Sequence, residues 1–269
     1  MRYALPSALI GAHATITSST TVESQYPLAH LHDGLPTEIV RWETSAPTRI
    51  VWDFGVPVTI EGLLVVMHTF AAGAVLKVQA HTADSWGAPA FSQDVTVPTW
   101  LDHVSPNVLA DLRGTALAAS GFRYVSLLMP AQAANHAIGE LLWVATWSET
   151  DSAPAWPVDR RERRRVSVNT TAYGVEHIVE RNVRQTGVQP VFRAISDADR
   201  GRLLALARAA GAHRGWVLVI EYGDTPTILE ALYVRFTPEM ITQLTESFLV
   251  FGAHEVQLDL LEVQRGLAL

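Results

Sequence analysis

LHDGLPTEIVRWETSAPTRIVWDFG, residues 31–55, is the stretch from which the fold is read. Asp33-Gly34 has the chemistry of a tight turn, because Asp bonds its own downstream backbone and Gly accepts a left-handed conformation at no steric cost. Thr37 and Trp42 mark the edge of the loop that follows. From Arg49 the residues alternate between polar and apolar up to Trp52-Asp53-Phe54-Gly55, the period-2 pattern of a strand with one buried face. Pro57-Val58-Thr59-Ile60 then leads to a second apolar run, Leu63 to His68.

Working outward, Ala8–Ser19 reads as an opening strand. Further strands are expected at Val75–His81, Gln93–Val97, Phe122–Met129 and Ile138–Thr146, and Leu109–Ala119 reads as a short helical turn before Gly121. Short β-branched and aromatic runs broken by Gly, Pro and Asp predict an all-β sandwich for this half.

The chain has 269 residues, 48% of them hydrophobic, enough for a sizeable core in one large or two ordinary domains. It has no cysteine, so disulfides, thiolate metal sites and a cysteine nucleophile are excluded. Lys77 is the only lysine among twenty basic residues. Residues 1–150 carry twelve acidic and six basic side chains, and neither half is a basic platform for sequence-specific nucleic-acid binding. A cleaved leader at the N-terminus is not expected, because Pro6 interrupts the short apolar run. The most apolar window, Gly62–Val78, holds His68, Gly73 and Lys77. It falls short of the roughly 20 apolar residues of a membrane helix and reads as two core strands.

No GxSxG, HExxH or phosphate-cradling glycine loop occurs, and Asp53-Phe54-Gly55 stands without any other kinase element, so no enzyme is expected. His30-x-His32-Asp33 has residue types that ligate transition metals, but lacks a third ligand at a matching spacing. Trp42, Trp52, Trp86 and Trp100 are flat apolar surfaces suited to sugar rings. Trp52, between Val51 and Phe54, reads as core, and Trp86, in Asp84-Ser85-Trp86-Gly87-Ala88-Pro89, as a loop residue.

The ordered set Asp33-Gly34, Thr37, Trp42, Trp52-Asp53-Phe54-Gly55 and Leu63–His68 resembles the discoidin-like, galactose-binding jelly-roll family over roughly residues 8 to 147. Ligands of that family bind at loop tips at one end of the sandwich, which implies a site at His32, Asp33, Trp42 and Trp86. The resemblance also implies a structural calcium beside the loop, held by Asp33 and by Glu140 near the last strand. Hard carboxylate oxygens suit that ion.

The composition changes after residue 150. Residues 151–165 read as a linker, SAPAWPVD leading into Arg160-Arg161-Glu162-Arg163-Arg164-Arg165, a solvated strand edge or linker, or a contact for nucleic acid or an acidic partner. Strands are expected at Val166–Thr171, Gly174–Gln185 and Gln189–Ala194. A helix over 197–210 follows, with Ser196 as N-cap, Asp197 and Asp199 at its positive end, and Gly211 as terminator. Leu203, Leu204, Ala207 and Ala210 would form its packed face. Trp216–Tyr222, Ile228–Phe236, Ile241–Phe251 and Glu255–Val263 read as strands. The phrases Ser196-Asp197-Ala198-Asp199-Arg200, Trp216-Val217-Leu218-Val219 and Ala231–Phe236, with the ending Val256–Val263, resemble tail-tube-type domains of distal and minor tail proteins from long-tailed phages. Those proteins usually place the ring-forming domain first, the reverse of the order here.

The expected fold is therefore mainly β: an N-terminal jelly-roll sandwich, 1–150, and a second β-sandwich, 166–269, with one packed helix. The resemblances imply a structural component of a phage tail tip, assembled in the host cytoplasm and carried on the virion tail. Its partners would be copies of itself in a ring, tube and hub proteins, and host surface glycan, with no membrane insertion. The alternative is a carbohydrate-binding adsorption module that recognises host polysaccharide.

Overall fold

A computed structural model of the chain describes residues 1–36, 38–98, 107–151, 155–170, 176–192, 195–211, 214–222, 228–237, 240 and 256–263. The chain forms two compact units: Arg2–Glu149 with Val217–Leu232, and Met1 with Thr150–Trp216 and Tyr233–Leu269. The strands are β1 (Arg2–Ala4), β2 (Thr15–Ser18), β3 (Val40–Arg41), β4 (Thr48–Val58), β5 (Gly62–His68), β6 (Val75–His81), β7 (Phe91–Thr96), β8 (Val108–Asp111), β9 (Phe122–Met129), β10 (Ala137–Val144), β11 (Ser148–Glu149), β12 (Ala155–Thr170), β13 (Glu176–Phe192), β14 (Trp216–Tyr222), β15 (Ile228–Phe236), β16 (Val256–Gln257) and β17 (Leu260–Glu262). Helices are α1 (Ala116–Ser120) and α2 (Asp197–Ala210). The mainly-β expectation holds.

In the first unit, among the described residues, a four-stranded sheet in the order β3-β10-β5-β8 packs on a five-stranded sheet in the order β2-β4-β9-β6-β7. Among the described residues the strand pairings in both are antiparallel. Alternation does the work in the five-stranded sheet: Ile50 and Trp52, Leu76, Val78 and Ala80, and Val125 and Leu127 point into the core, while Arg49, Lys77 and Leu128 lie on the other face. The inner sheet reads differently. Every residue of β5 and β10 is buried, and the turn Leu28–His32, with Leu31 in the core, packs against β10. Gly139 lets the chain at Pro36 approach the same strand, since a Cβ there would collide with the Pro36 carbonyl. β1 adds a separate pairing between β11 and β14, with Arg2 opposite both Glu149 and Val219.

Two local expectations are corrected here. The opening strand is only Thr15–Ser18; before it lie two short 3-10 turns, Pro6–Ala8, with Pro6 at its first position, and Gly11–His13. Leu109–Ala119 is not one helical turn. Leu109 and Ala110 belong to β8, which pairs with β5, and α1 begins after Thr115, whose hydroxyl accepts the Ala118 N–H.

In the second unit, β12 and β13 form one hairpin of 16 and 17 residues. β16 and β17 pair with β13 at Val191–Phe192 and Gly187–Val188, and β17 also pairs with Val234–Phe236. The residue 151–165 linker reading is thus replaced by strand from Ala155 onward, and the separate strands expected at 174–185 and 189–194 are one. Pro157 misled because it lacks a ladder N–H, yet it falls in a register shift between Ala155 and Asp159 on an edge strand, where no donor is required. Helix α2 has the expected signals: Ser196 Oγ accepts the Asp199 N–H at 3.1 Å, and Gly211 at φ 57° ends it. Its buried face is Leu203, Leu206, Ala207 and Ala210, the i, i+3, i+4, i+7 set; Leu206, not Leu204, completes it. The strand expected at 241–251 lies outside the described residues. Among the described residues no helix is long and apolar enough to cross a membrane.

Candidate functional site

Two groups of residues in the first unit carry the chemistry, one at the loop that covers β10 and one on the open face of the five-stranded sheet.

At the loop, Leu28–His32 is a 3-10 turn and Asp33 closes it. The Asp33 carboxylate accepts the Leu35 N–H at 2.7 Å and Gly34 takes φ 74°, so the Asp-Gly turn forms as its chemistry demands. His32 turns inward: its Nε2 accepts the Trp52 indole N–H at 2.7 Å, and the ring bonds the Leu141 backbone. Burial lowers the His32 pKa to about 4, so the imidazole is neutral at pH 7. Gly11 is required beside it, because a Cβ there would sit on the imidazole. Trp42 is 0% exposed and donates its indole N–H to Ser18 Oγ at 2.9 Å. Trp52, also fully buried, meets Trp143 edge to face at 5.2 Å, the core position expected of it.

His32 and Trp42, placed by sequence at a ligand-facing loop tip, are thus structural. Each makes a part-buried hydrogen bond that ties it to the sandwich, the usual requirement for a polar atom largely removed from water. Trp100 lies outside the described residues.

Asp33 and Glu140 are brought together across this loop. Glu140 is 1% exposed, and burial first, then the Asp33 charge, push its pKa up to about 9. It holds a proton at pH 7 and hydrogen-bonds Asp33, whose own pKa is raised, chiefly by desolvation. Glu140 Oε2 has no hydrogen-bond partner among the described residues. Ligand atoms of His30, Asp33 and Glu38 lie within 4.8 Å of one another, with His30 Nε2 at 3.4 Å from Glu38 Oε2. Two converging carboxyls with an orphaned oxygen fit a small hard cation, which would replace the shared proton. Glu38 is the residue that sequence spacing missed beside His30 and Asp33, since its approach depends on how the 3-10 turn folds back.

On the sheet, Arg49 of β4 lies in one cross-strand row with Leu128, Lys77 and Asp94. Its Nη1 donates to Gln79 Oε1 at 2.6 Å and to Ser126 Oγ at 2.9 Å. Gln79 in turn donates to Ser92 Oγ at 3.2 Å. Trp86, half-buried in the loop after β6, stacks on the Arg49 guanidinium at 4.9 Å and donates its indole N–H to Asp84 at 2.7 Å. Of the four residues expected at a ligand site, Trp86 is the one whose aromatic surface stays partly open to solvent. Arg49, Gln79 and Ser126 were not singled out in sequence, because their partnership spans 30 and 77 residues of chain.

No protein-family model and no curated protein matches the chain. Solved structures similar to it include a chitosan-binding module from a chitosanase/glucanase of Paenibacillus sp. IK-5, 18% identical, covering 51% of this chain and 98% of that one at a TM-score of 0.38. A fucose-binding module of Streptococcus pneumoniae is 12% identical, with 51% and 98% covered and a TM-score of 0.39. The family 32 carbohydrate-binding module of Clostridium perfringens NanJ, solved with galactose, is 10% identical, with 55% and 100% covered and a TM-score of 0.39.

Proposed function

We propose that the first unit is a non-catalytic glycan-binding module carried on a structural component of a phage tail tip. The observation that carries the binding reading is the placement of Trp86 on the open sheet face. An indole held in place by Asp84 and Arg49, yet partly exposed, offers a rigid apolar surface for a pyranose ring beside polar donors. Many copies on one particle would turn weak single-site contacts into useful avidity. On a glycan array the full chain should retain a saccharide class that Trp86→Ala loses; equal retention by both proteins rejects the reading.

The tail-tip part of the reading rests on the resemblance already described and is supported by the long hairpin. From Glu176 to Thr186, β13 has β12 as its one strand partner among the described residues. Two-stranded ribbons are marginal in water, and strands of this length exceed the usual 5–6 residues about threefold. A neighbouring copy adding its own strand edge would stabilise such a ribbon and hide it, as closed rings do. Light scattering on the full chain should give a mass of several copies, and particle images should show repeated copies around a tail axis; a strict monomer in both rejects the ring.

Asp33 and Glu140 would hold calcium at the covering loop, where the ion would supply rigidity to the segment on β10. Melting in millimolar Ca²⁺ against chelator should raise the midpoint for the parent and leave Asp33→Asn unmoved; no calcium effect on the parent removes the ion from the proposal.

A further inference from the structure

Resting on the glycan-binding reading, we infer that the open sheet face selects a carboxylate-bearing sugar, such as a uronic or sialic acid residue, through the free edge of Arg49. Residues 2–149 contain five arginines and one lysine. Arg2 pairs with Asp111, Arg41 with Glu23, Arg113 with Asp111 and Glu149, Arg123 with Asp53, and Lys77 with Asp94. Arg49 alone of these makes no ion pair among the described residues, in a stretch where carboxylates outnumber cations two to one. The one carboxylate that acts on its charge, Asp84, is turned to the Trp86 indole N–H.

The guanidinium is nevertheless fixed. It has five N–H donors. The two on Nη1 are spent on Gln79 and Ser126, both buried, and the ring of Trp86 covers its face. The three on Nε and Nη2 have no partner among the described residues. Nε and Nη2 form the parallel edge that grips a carboxylate with two hydrogen bonds. Holding that fork by neutral partners leaves its full charge for a ligand, and holding it rigid removes the entropy cost of ordering it on binding. Leu128, half-buried beside Arg49 in the same row, and the open part of the Trp86 indole supply apolar contact for the sugar ring. Lys77 next along adds positive potential that Asp94 already offsets. A neutral sugar would leave the fork unanswered, and a simple carboxylate would leave the aromatic contact unused.

The full chain is titrated calorimetrically with a uronic-acid disaccharide, its methyl ester and sodium acetate, at two salt concentrations. The uronate is expected to bind about tenfold or more tighter than its ester, as loss of a charged, bidentate hydrogen bond implies. Its affinity should fall with salt, and acetate should bind too weakly to measure. Arg49→Gln should lower uronate affinity about tenfold to a hundredfold, down to that of the ester. Arg49→Lys, which keeps the charge and loses the fork, should fall between, and Lys77→Gln should change little. Uronate and ester bound equally by the parent protein overturns the inference and leaves the glycan reading standing. An Arg49→Gln protein that melts like the parent and keeps its uronate affinity does the same. No binding of any saccharide overturns both. If Arg49→Gln fails to fold, the comparison of acid with ester on the parent protein decides.

Discussion

The covering loop and the open sheet face use the same residue types to opposite ends. At the loop, His32 and Trp42 turn their ring nitrogens inward onto Trp52 and Ser18, and Glu140 is held by Asp33 of the loop itself. On the sheet, Arg49 is fixed by partners that consume only part of its donors, and Trp86, its indole N–H spent on Asp84, keeps part of its ring face open. An aromatic or imidazole near a loop tip is therefore no guide to a ligand surface until its hydrogen bonds are accounted for. What distinguishes binding from bracing here is the donor left over.

The contrast breaks most visibly at the core end of the loop. Trp52→Ala removes a fully buried indole and the bond that holds His32, and should cost about 3–5 kcal/mol in chemical denaturation. Acid tests the same contact. The folded His32 pKa is about 4 and the unfolded value about 6.5, so the unfolded chain binds the extra proton. Stability is fully present above pH 6.5 and is lost as pH falls toward 4, on the order of 2 kcal/mol at pH 4 for this half-buried ring. His32→Gln should flatten that part of the pH–stability curve; an unchanged slope would show that His32 is not the group responsible.

Glu140 works in the other direction. Its folded pKa, about 9, lies above its unfolded value of 4.5, so its contribution is complete below pH 4.5 and is lost as pH rises toward 9. Glu140→Gln cannot ionise, and in metal-free buffer it should melt about 2–4 °C above the parent at pH 8.5 while matching it near pH 5. The smallest effect is expected on the sheet. Trp86→Ala should shift stability by about 0.5 kcal/mol or less, since the indole lies in a surface loop outside the core cluster, against Arg49 and Asp84. A loss several times larger would show that Trp86 braces the fold as Trp42 does.

Much of the fold was legible. Val75–His81, Phe122–Met129, Trp216–Tyr222 and Ile228–Phe236 fall where apolar runs meet Gly, Pro or polar breaks, and α2 where Ser196 and Gly211 place its ends. Those signals act within a few residues of chain. The hairpin β12–β13 was not legible, because Pro157 and the arginine run look like punctuation until a partner strand supplies the register. The site divides the same way. The Asp33-Gly34 turn follows from local turn chemistry, whereas its meeting with Glu140 was implied by the family resemblance alone. The burial of Trp42 and the bracing of Arg49 by Gln79 and Ser126 are products of which strands become neighbours, and no local pattern carries that.

β1 has a consequence for how the chain comes off the ribosome. Its three residues find their β14 partners at Val217–Val219, more than two hundred residues later in the chain. At about 5–20 residues per second, roughly ten seconds or more of synthesis separate the two. The sandwich core, complete by Val144, has all its strands early, whereas β1 must wait, and a nascent chain stalled before residue 217 would present that strand without its β14 partner.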